Sequence, residues 1–290
     1  MTTPRPSVRP SRTAARPARL LAAALAAGTL LATAACSGGD DGTAAVAEAT
    51  TTAERPAAAQ TTPTSATPSA TPSSDLTETG ARDALITEAD IEDDWTQVDD
   101  PAAWRDSLLV GEVDVAEFIA GKAHASDCGR FLHSLYDETL LGRPPGASAI
   151  TGFQEGDSRL FYQVAGYDKA DLDASMKRLK TLPDICDQFT LTGGDQGERT
   201  VQVVETSLPE VGDDRQGLTV TVKGTSGGEG VTLTLEVAVV QLGADAITVV
   251  NGGLDGARHT TTEAAVKQGT QRLSEVQAGR TPQPTPSGVD

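Results

Sequence analysis

Large apolar residues along this chain fall into three regimes. Residues 20–35 form an uncharged run of Leu, Ala, Gly and Thr. Residues 37–80 are dominated by Thr, Ala, Pro and Ser. Residues 81–278 carry regular apolar spacing, and only they can build a core. Within them, ALITEADIEDDW offers Thr87 as the N-cap of a short helix through Ile91, with Leu85, Ile86 and Trp95 tucked onto the core. Val115, Phe118 and Ile119 mark a helical stretch over 113–120. SDCGRFLHSLYDETLL places Cys128, Phe131, Leu132, Leu135 and Tyr136 on one helical stripe, with Asp127 as N-cap and the Gly142-Arg143-Pro144-Pro145-Gly146 run as its stop. A later helix over 169–181 turns Leu172, Met176 and Leu179 inward and ends at Pro183.

Strand periodicity fills much of the remainder. ASAITGF and SRLFYQVAG are joined through Gln154-Glu155-Gly156-Asp157, a hairpin signal. Cys186 and Phe189 lead into RTVQVVET, GLTVTVKG, GVTLTLEVAVVQL and DAITVVNG, which alternate β-branched and polar residues between glycine-rich turns. In the longest of these, Val231, Leu233, Leu235, Val237 and Val239 share one face and Thr232, Thr234 and Glu236 the other. That alternation predicts an antiparallel sheet with one buried and one partly wet face. A closing helix starts at the capping-box pattern Thr260-Thr261-Thr262-Glu263 and buries Val266, Leu273 and Val276. The fold class is α+β: a twisted antiparallel sheet of about six strands flanked by helices, behind a disordered Thr/Pro/Ala-rich linker.

The first two regimes concern export. Arg5, Arg9, Arg12, Arg16 and Arg19 precede the apolar run with no acid among them. The run is shorter than the roughly 20 residues a spanning helix needs, so residues 1–35 read as a signal peptide. The arginines are not paired as in a twin-arginine signal, which points to export as an unfolded chain. Thr33-Ala34-Ala35-Cys36 fits a relaxed lipobox, with Cys36 as the lipidated N-terminus of residues 36–80; threonine stands where leucine is preferred. The rival is cleavage after Ala32-Thr33-Ala34, which would leave a free thiol. Parity favours lipidation: of three cysteines, Cys128 and Cys186 then remain as one possible disulfide in an oxidising compartment. The linker could reach roughly 100 Å if largely extended. Residues 279–290 read as a second disordered tail.

Charge narrows the partners. Without the five signal arginines, 18 of the 23 basic residues face 41 acidic ones, a net charge near −23. No basic stripe for nucleic acid or anionic lipid remains.

Candidate catalytic patterns fail on context. Gly224-Thr225-Ser226-Gly227-Gly228 matches G-x-S-x-G, but it lies between two strands rather than on a strand-to-helix turn, and His259 alone follows it. His124, His133 and His259 lack zinc-site spacing, and His133 falls on the polar side of its helix. Glu88, Asp90, Glu92, Asp93 and Asp94 lack the glycine-centred calcium loop and read as a solvated acidic face. No phosphate-binding loop or dinucleotide fingerprint is present. The sequence thus predicts no enzyme, no cofactor, and no catalytic or metal-binding residue.

Four stretches together resemble a known family. The cysteine-led helix DCGRFLHSLY, the second cysteine in LPDICDQF, the late hairpin TLEVAVVQLGADAITVV and the closing helix EAAVKQGTQRLSEV are similar to the PknH-like extracellular domain family of mycobacterial kinases and actinobacterial lipoproteins. The resemblance covers 81–278 and implies a sheet flanked by helices with a ligand-binding cleft. Two departures stand out: the kinase sensor has two disulfides where this chain can form one, and no kinase domain or transmembrane helix is present. The combined expectation is a non-catalytic sensor-type domain, lipid-anchored on the outer face of the cell membrane, that recognises a small ligand or envelope component. The alternative is an envelope protein-interaction lipoprotein with no small ligand. A secreted serine hydrolase built on Ser226 is the least favoured reading.

Overall fold

The computed structural model describes residues 75–283, apart from 92–93, 106–108, 111–112, 124 and 194–196. The signal segment, Cys36, the linker up to residue 74 and residues 284–290 of the tail lie outside them.

The described chain opens with α1 (Glu78–Asp83), whose N-cap Thr77 accepts from the Gly80 amide. A 3-10 turn follows at Glu88–Asp90, where helix through Ile91 is expected, and then β1 (Thr96–Gln97) and a second 3-10 turn at Pro101–Arg105. β2 (Leu109–Val110) and β3 (Val113–Asp114) pair with each other only. Next come α2 (Val115–Ile119), β4 (Lys122–Ala123), α3 (Ser126–Ser134), β5 (Ser148–Glu155), β6 (Ser158–Gly166) and α4 (Lys169–Ile185). β7 (Gln188–Thr192), β8 (Arg199–Thr206), β9 (Asp214–Ser226), β10 (Glu229–Leu242), β11 (Asp245–Gly253) and α5 (His259–Gln277) complete it.

The main sheet is antiparallel and has nine strands among the described residues, in the order β1-β5-β6-β11-β10-β9-β8-β7-β4. This corrects the expected six. The six long strands are those that periodicity marks; β1 and β4 have two residues each, too few to show a period, and β7 has five. α4 carries the chain from β6 to β7 across the sheet. Its 17 residues rise about 25 Å, close to the roughly 24 Å of five strand spacings that separate β6 from β7.

Both faces of the sheet are covered in its centre. On one face α2, α3 and α4 pack Phe118, Phe131, Met176 and Leu179 against Val203, Val220, Leu235 and Val237. On the other, α5 lays Ala265, Val266 and Leu273 over Ala238, Val240, Ile247 and Val249. The expected wet face therefore holds only along the first half of β10, where Thr232 is exposed and Thr234 half-buried. From Val237 to Val240 every residue is buried, and four successive apolar residues are the pattern of a strand covered on both sides.

Helix ends depart from the sequence signals. Asp127 does not cap α3: the helix begins one residue earlier, and Asp127 sits in its first turn, paired with Arg130 at 2.9 Å. α3 also ends at Ser134, well before the Gly142–Gly146 breaker. α5 starts at His259, one residue before the expected cap Thr260, so Thr260 lies inside the helix and the position before it is Arg258, with no side-chain cap; Thr262 accepts from the buried Asn251 amide group at 3.0 Å. Val276, expected inside, is only partly buried. Pro183 does not end α4 but lies within it, and the Cys186 amide still reaches the Leu182 carbonyl at 2.8 Å. In the last turn a missing N–H costs one hydrogen bond, which tertiary packing outweighs.

Candidate ligand cavity between α3 and α4

The burial of one stripe on each helix sets which side chains look into the space between them. α3 turns Cys128, Phe131 and Leu132 inward, leaving Arg130 and His133 outward. α4 buries Leu172, Met176, Leu179 and Leu182, each contributing on the order of 1.5–3 kcal/mol. Ser175 and Arg178 then flank that stripe, half-buried.

Two devices fix the helices to each other. The Cys128–Cys186 disulfide joins the first turn of α3 to the residue that caps α4, with a Cα–Cα distance of 5.6 Å. The loop after α3 is held by α4: Arg178 Nη2 donates to the Leu140 carbonyl at 2.8 Å and Ser175 Oγ to the Leu141 carbonyl at 2.9 Å. In the same loop Glu138 has φ +64°, a left-handed conformation uncommon for a residue other than glycine. It is held by an ion pair to Arg105 and by Gln163 Nε2, which donates to its carbonyl. Nearer the N-terminus of α4, hydrogen bonds from Gln241 and then Lys169 hold the Asp173 carboxyl below its usual range, and the first ties the helix to the end of β10.

Between these walls lies a cavity of about 480 Å³ lined by Arg130, His133, Ser134, Asp137, Ser175 and Arg178. Its size falls in the range of small-ligand sites, roughly 300–1,000 Å³. Arg130 is paired with Asp127, whereas Arg178 has no carboxylate within ion-pair distance among the described residues. A pocket of about 560 Å³ at the ends of β8 and β9 differs in this respect. There Lys180 pairs with Asp214 at 2.5 Å and Arg215 with Glu210 at 3.3 Å, so the cations are already neutralised.

The other sequence candidates do not converge. Ser226 closes β9, and the two-residue turn Gly227-Gly228, with φ of +61° and +89°, leads into β10 as in a type I′ hairpin. Gly224 is there for packing: a Cβ on it would come 2.4 Å from Cγ of Arg199. The match to G-x-S-x-G thus joins a packing glycine to a hairpin turn. His259 bonds through Nδ1 to Glu236 at 3.1 Å, and its Nε2 lies 3.6 Å from Glu263. Glu236 lies seven residues along β10 from the hairpin tip, roughly 23 Å, so Ser226 and His259 form no dyad.

His124, Glu92 and Asp93 lie outside the described residues. The acidic cluster is not one solvated face. Asp90 is buried, accepts from the amide and hydroxyl of Thr87, and pairs with Arg272 of α5 at 3.3 Å. Among the described residues no group of three or more His, Cys, Asp or Glu could hold a metal, and no helix is long and apolar enough to cross a membrane.

No protein family and no curated protein matches the chain. Solved structures similar to it include the extracellular domain of PknH from Mycobacterium tuberculosis, at 14% identity and a TM-score of 0.34, covering 54% of this chain and 77% of that one. A putative uncharacterized protein from Mycobacterium smegmatis is similar at 16% identity and a TM-score of 0.32, covering 54% and 76%. The first belongs to the family that four stretches of the sequence, LPDICDQF among them, are read above as resembling.

Sequence reasoning did not find the cavity. Arg130 and His133 are legible as the polar side of an amphipathic helix, but nothing local shows that Ser175 and Arg178 face them.

Proposed function

We propose that this chain is a lipid-anchored, extracytoplasmic, non-catalytic binding domain of the sensor type, and that it takes a small ligand between α3 and α4. The observation that carries this reading is Arg178: a guanidinium without a carboxylate partner among the described residues, oriented by the Leu140 carbonyl, in a cavity whose walls are joined by a disulfide. A rigid site with an unspent charge is prepared for a ligand. The Cys36 lipobox and the acidic, basic-stripe-free mature chain support the location. The protein-interaction reading calls for a flat exposed apolar patch or an open strand edge, and the first of these is the one that side-chain exposure tests. Among the described residues the exposed large apolar side chains are Ile185 at 49% and Val204 at 41%, which do not make such a patch.

The site is tested by filling it. Ala174 lines the cavity from an exposed position on α4, so Ala174→Trp blocks the space without touching the core. Thermal melts of the exported protein with the low-molecular-mass fraction of an envelope extract should rise for the wild type and stay unchanged for the variant. An equal rise in both would move the site elsewhere, and no rise in either would remove the small-ligand reading.

A further inference from the structure

Most polar groups lining the α3–α4 cavity have some hydrogen-bonding capacity already committed, and what remains describes the ligand. Ser134 Oγ donates its proton to the Phe131 carbonyl at 2.7 Å and Ser175 Oγ to the Leu141 carbonyl at 2.9 Å. Toward the cavity both hydroxyls are therefore acceptors. Asp137 spends Oδ1 on the amide and hydroxyl of Thr139, and its Oδ2 has no partner among the described residues. On the donor side, Arg178 uses Nη2 on the Leu140 carbonyl and retains Nε and Nη1, and the His133 ring makes no hydrogen bond among the described residues. The cavity thus offers the Arg178 fork and the Ser175 hydroxyl acceptor from α4, and the Ser134 hydroxyl acceptor with a carboxylate oxygen of Asp137 from the end of α3 and the loop after it.

A simple anion would satisfy Arg178 and leave Asp137 repelling it; a simple cation would do the reverse. A molecule carrying both charges satisfies both sets. A pocket of about 10 Å³ shares Ser134 and Arg178 with the cavity and is otherwise lined by Asp127, Phe131, Leu140, Leu179 and Leu182. That is room for about one water-sized group, so the ligand's apolar portion at this point is no larger than a methyl.

From this accounting we infer that the cavity takes a small zwitterion, an amino acid or short peptide, with its carboxylate on Arg178 and its ammonium on Asp137. The inference rests on the ligand-site reading above and adds the ligand's class to it.

Calorimetric titration of the exported protein with alanine, glutamate and the dipeptide Ala-Ala tests it, with N-acetylalanine and alaninamide as singly blocked controls. Free alanine or Ala-Ala should bind, and blocking either end should weaken binding by about tenfold, the loss of one charge-assisted hydrogen bond. The better ligand of the two separates free amino acids from peptides as the source. Asp137→Asn retains Oδ1 for Thr139 and should abolish discrimination against N-acetylalanine while leaving that against alaninamide. Arg178→Gln should do the converse, and Arg178→Lys should restore part of it. Failure of every zwitterion to bind the wild type, or equal binding of free and blocked forms, overturns the inference. If the envelope fraction still stabilises the wild type and Ala174→Trp removes that effect, the site stands and only the ligand class falls.

Discussion

Arg199 is the largest side chain wholly inside the described domain, 1% exposed, and its four partners are all backbone carbonyls. Nη1 donates to Glu117 and Phe118, Nη2 to Ala120 and Gly193, and the guanidinium lies 5.8 Å from the Phe118 ring centre. Burial lowers its pKa from the ordinary value. One side chain thereby satisfies the carbonyls around the end of α2 and binds that segment to β8. An arginine opening a strand gives no sequence cue of this, since three of the four acceptors come from a stretch about 80 residues away. Arg199→Met strands several buried carbonyls and should destabilise the domain by about 2–4 kcal/mol in chemical denaturation. Arg199→Lys should recover only part, because an ammonium lacks the planar fork that serves carbonyls on two sides. A loss below about 0.5 kcal/mol, the scale of an ordinary surface change, would contradict this account.

At the scale of elements, the pairing of α3 with α4 is the decisive contact, because it forms the cavity. The bridge between Cys128 and Cys186 closes a span of 58 residues. The chain-entropy model assigns such a loop about 4 kcal/mol, a large part of the roughly 5–15 kcal/mol that holds a domain together. Cys128→Ala and Cys186→Ala should each lower the melting temperature, and the double variant should be no worse than the worse single one. Peptide mapping without reductant should recover the two cysteines as one linked species; two alkylatable thiols would refute the bridge. The same pairing shows what pattern reading reaches. The apolar stripes of both helices are legible from spacing. Their ends are not, because Asp127 falls inside the first turn of α3 and pairs with Arg130, and Pro183 sits within α4, where the Cys186 amide still reaches the Leu182 carbonyl.

For the molecule as a whole, the acidic composition and the proposed lipid-bearing Cys36 are the features that bear on location. If Cys36 carries lipid as proposed, a segment of about 40 residues before the domain would allow a distance of roughly 100 Å from the membrane were it largely extended. Cys36→Ser removes the thiol that accepts lipid, so labelling with a fatty-acid analogue should vanish and the protein should leave the membrane fraction. Wild-type protein found wholly in the medium with Ala35 as its first residue would overturn the anchor.

Spacing along the chain was sufficient for the α+β class, the six long strands, the apolar stripes of α3 and α4, and the one available cysteine pair, because these depend on periodicities and parities that neighbouring residues set. Tertiary structure decided the rest. Strands of two residues have no period, and Val237–Val240 is buried on both sides only once α4 and α5 cover opposite faces. Asp90 leaves solvent because Arg272, distant in sequence, arrives beside it. Arg178 becomes a candidate ligand contact because the loop after α3 supplies a carbonyl to hold it and no carboxylate to neutralise it, a balance set by segments nearly 40 residues apart.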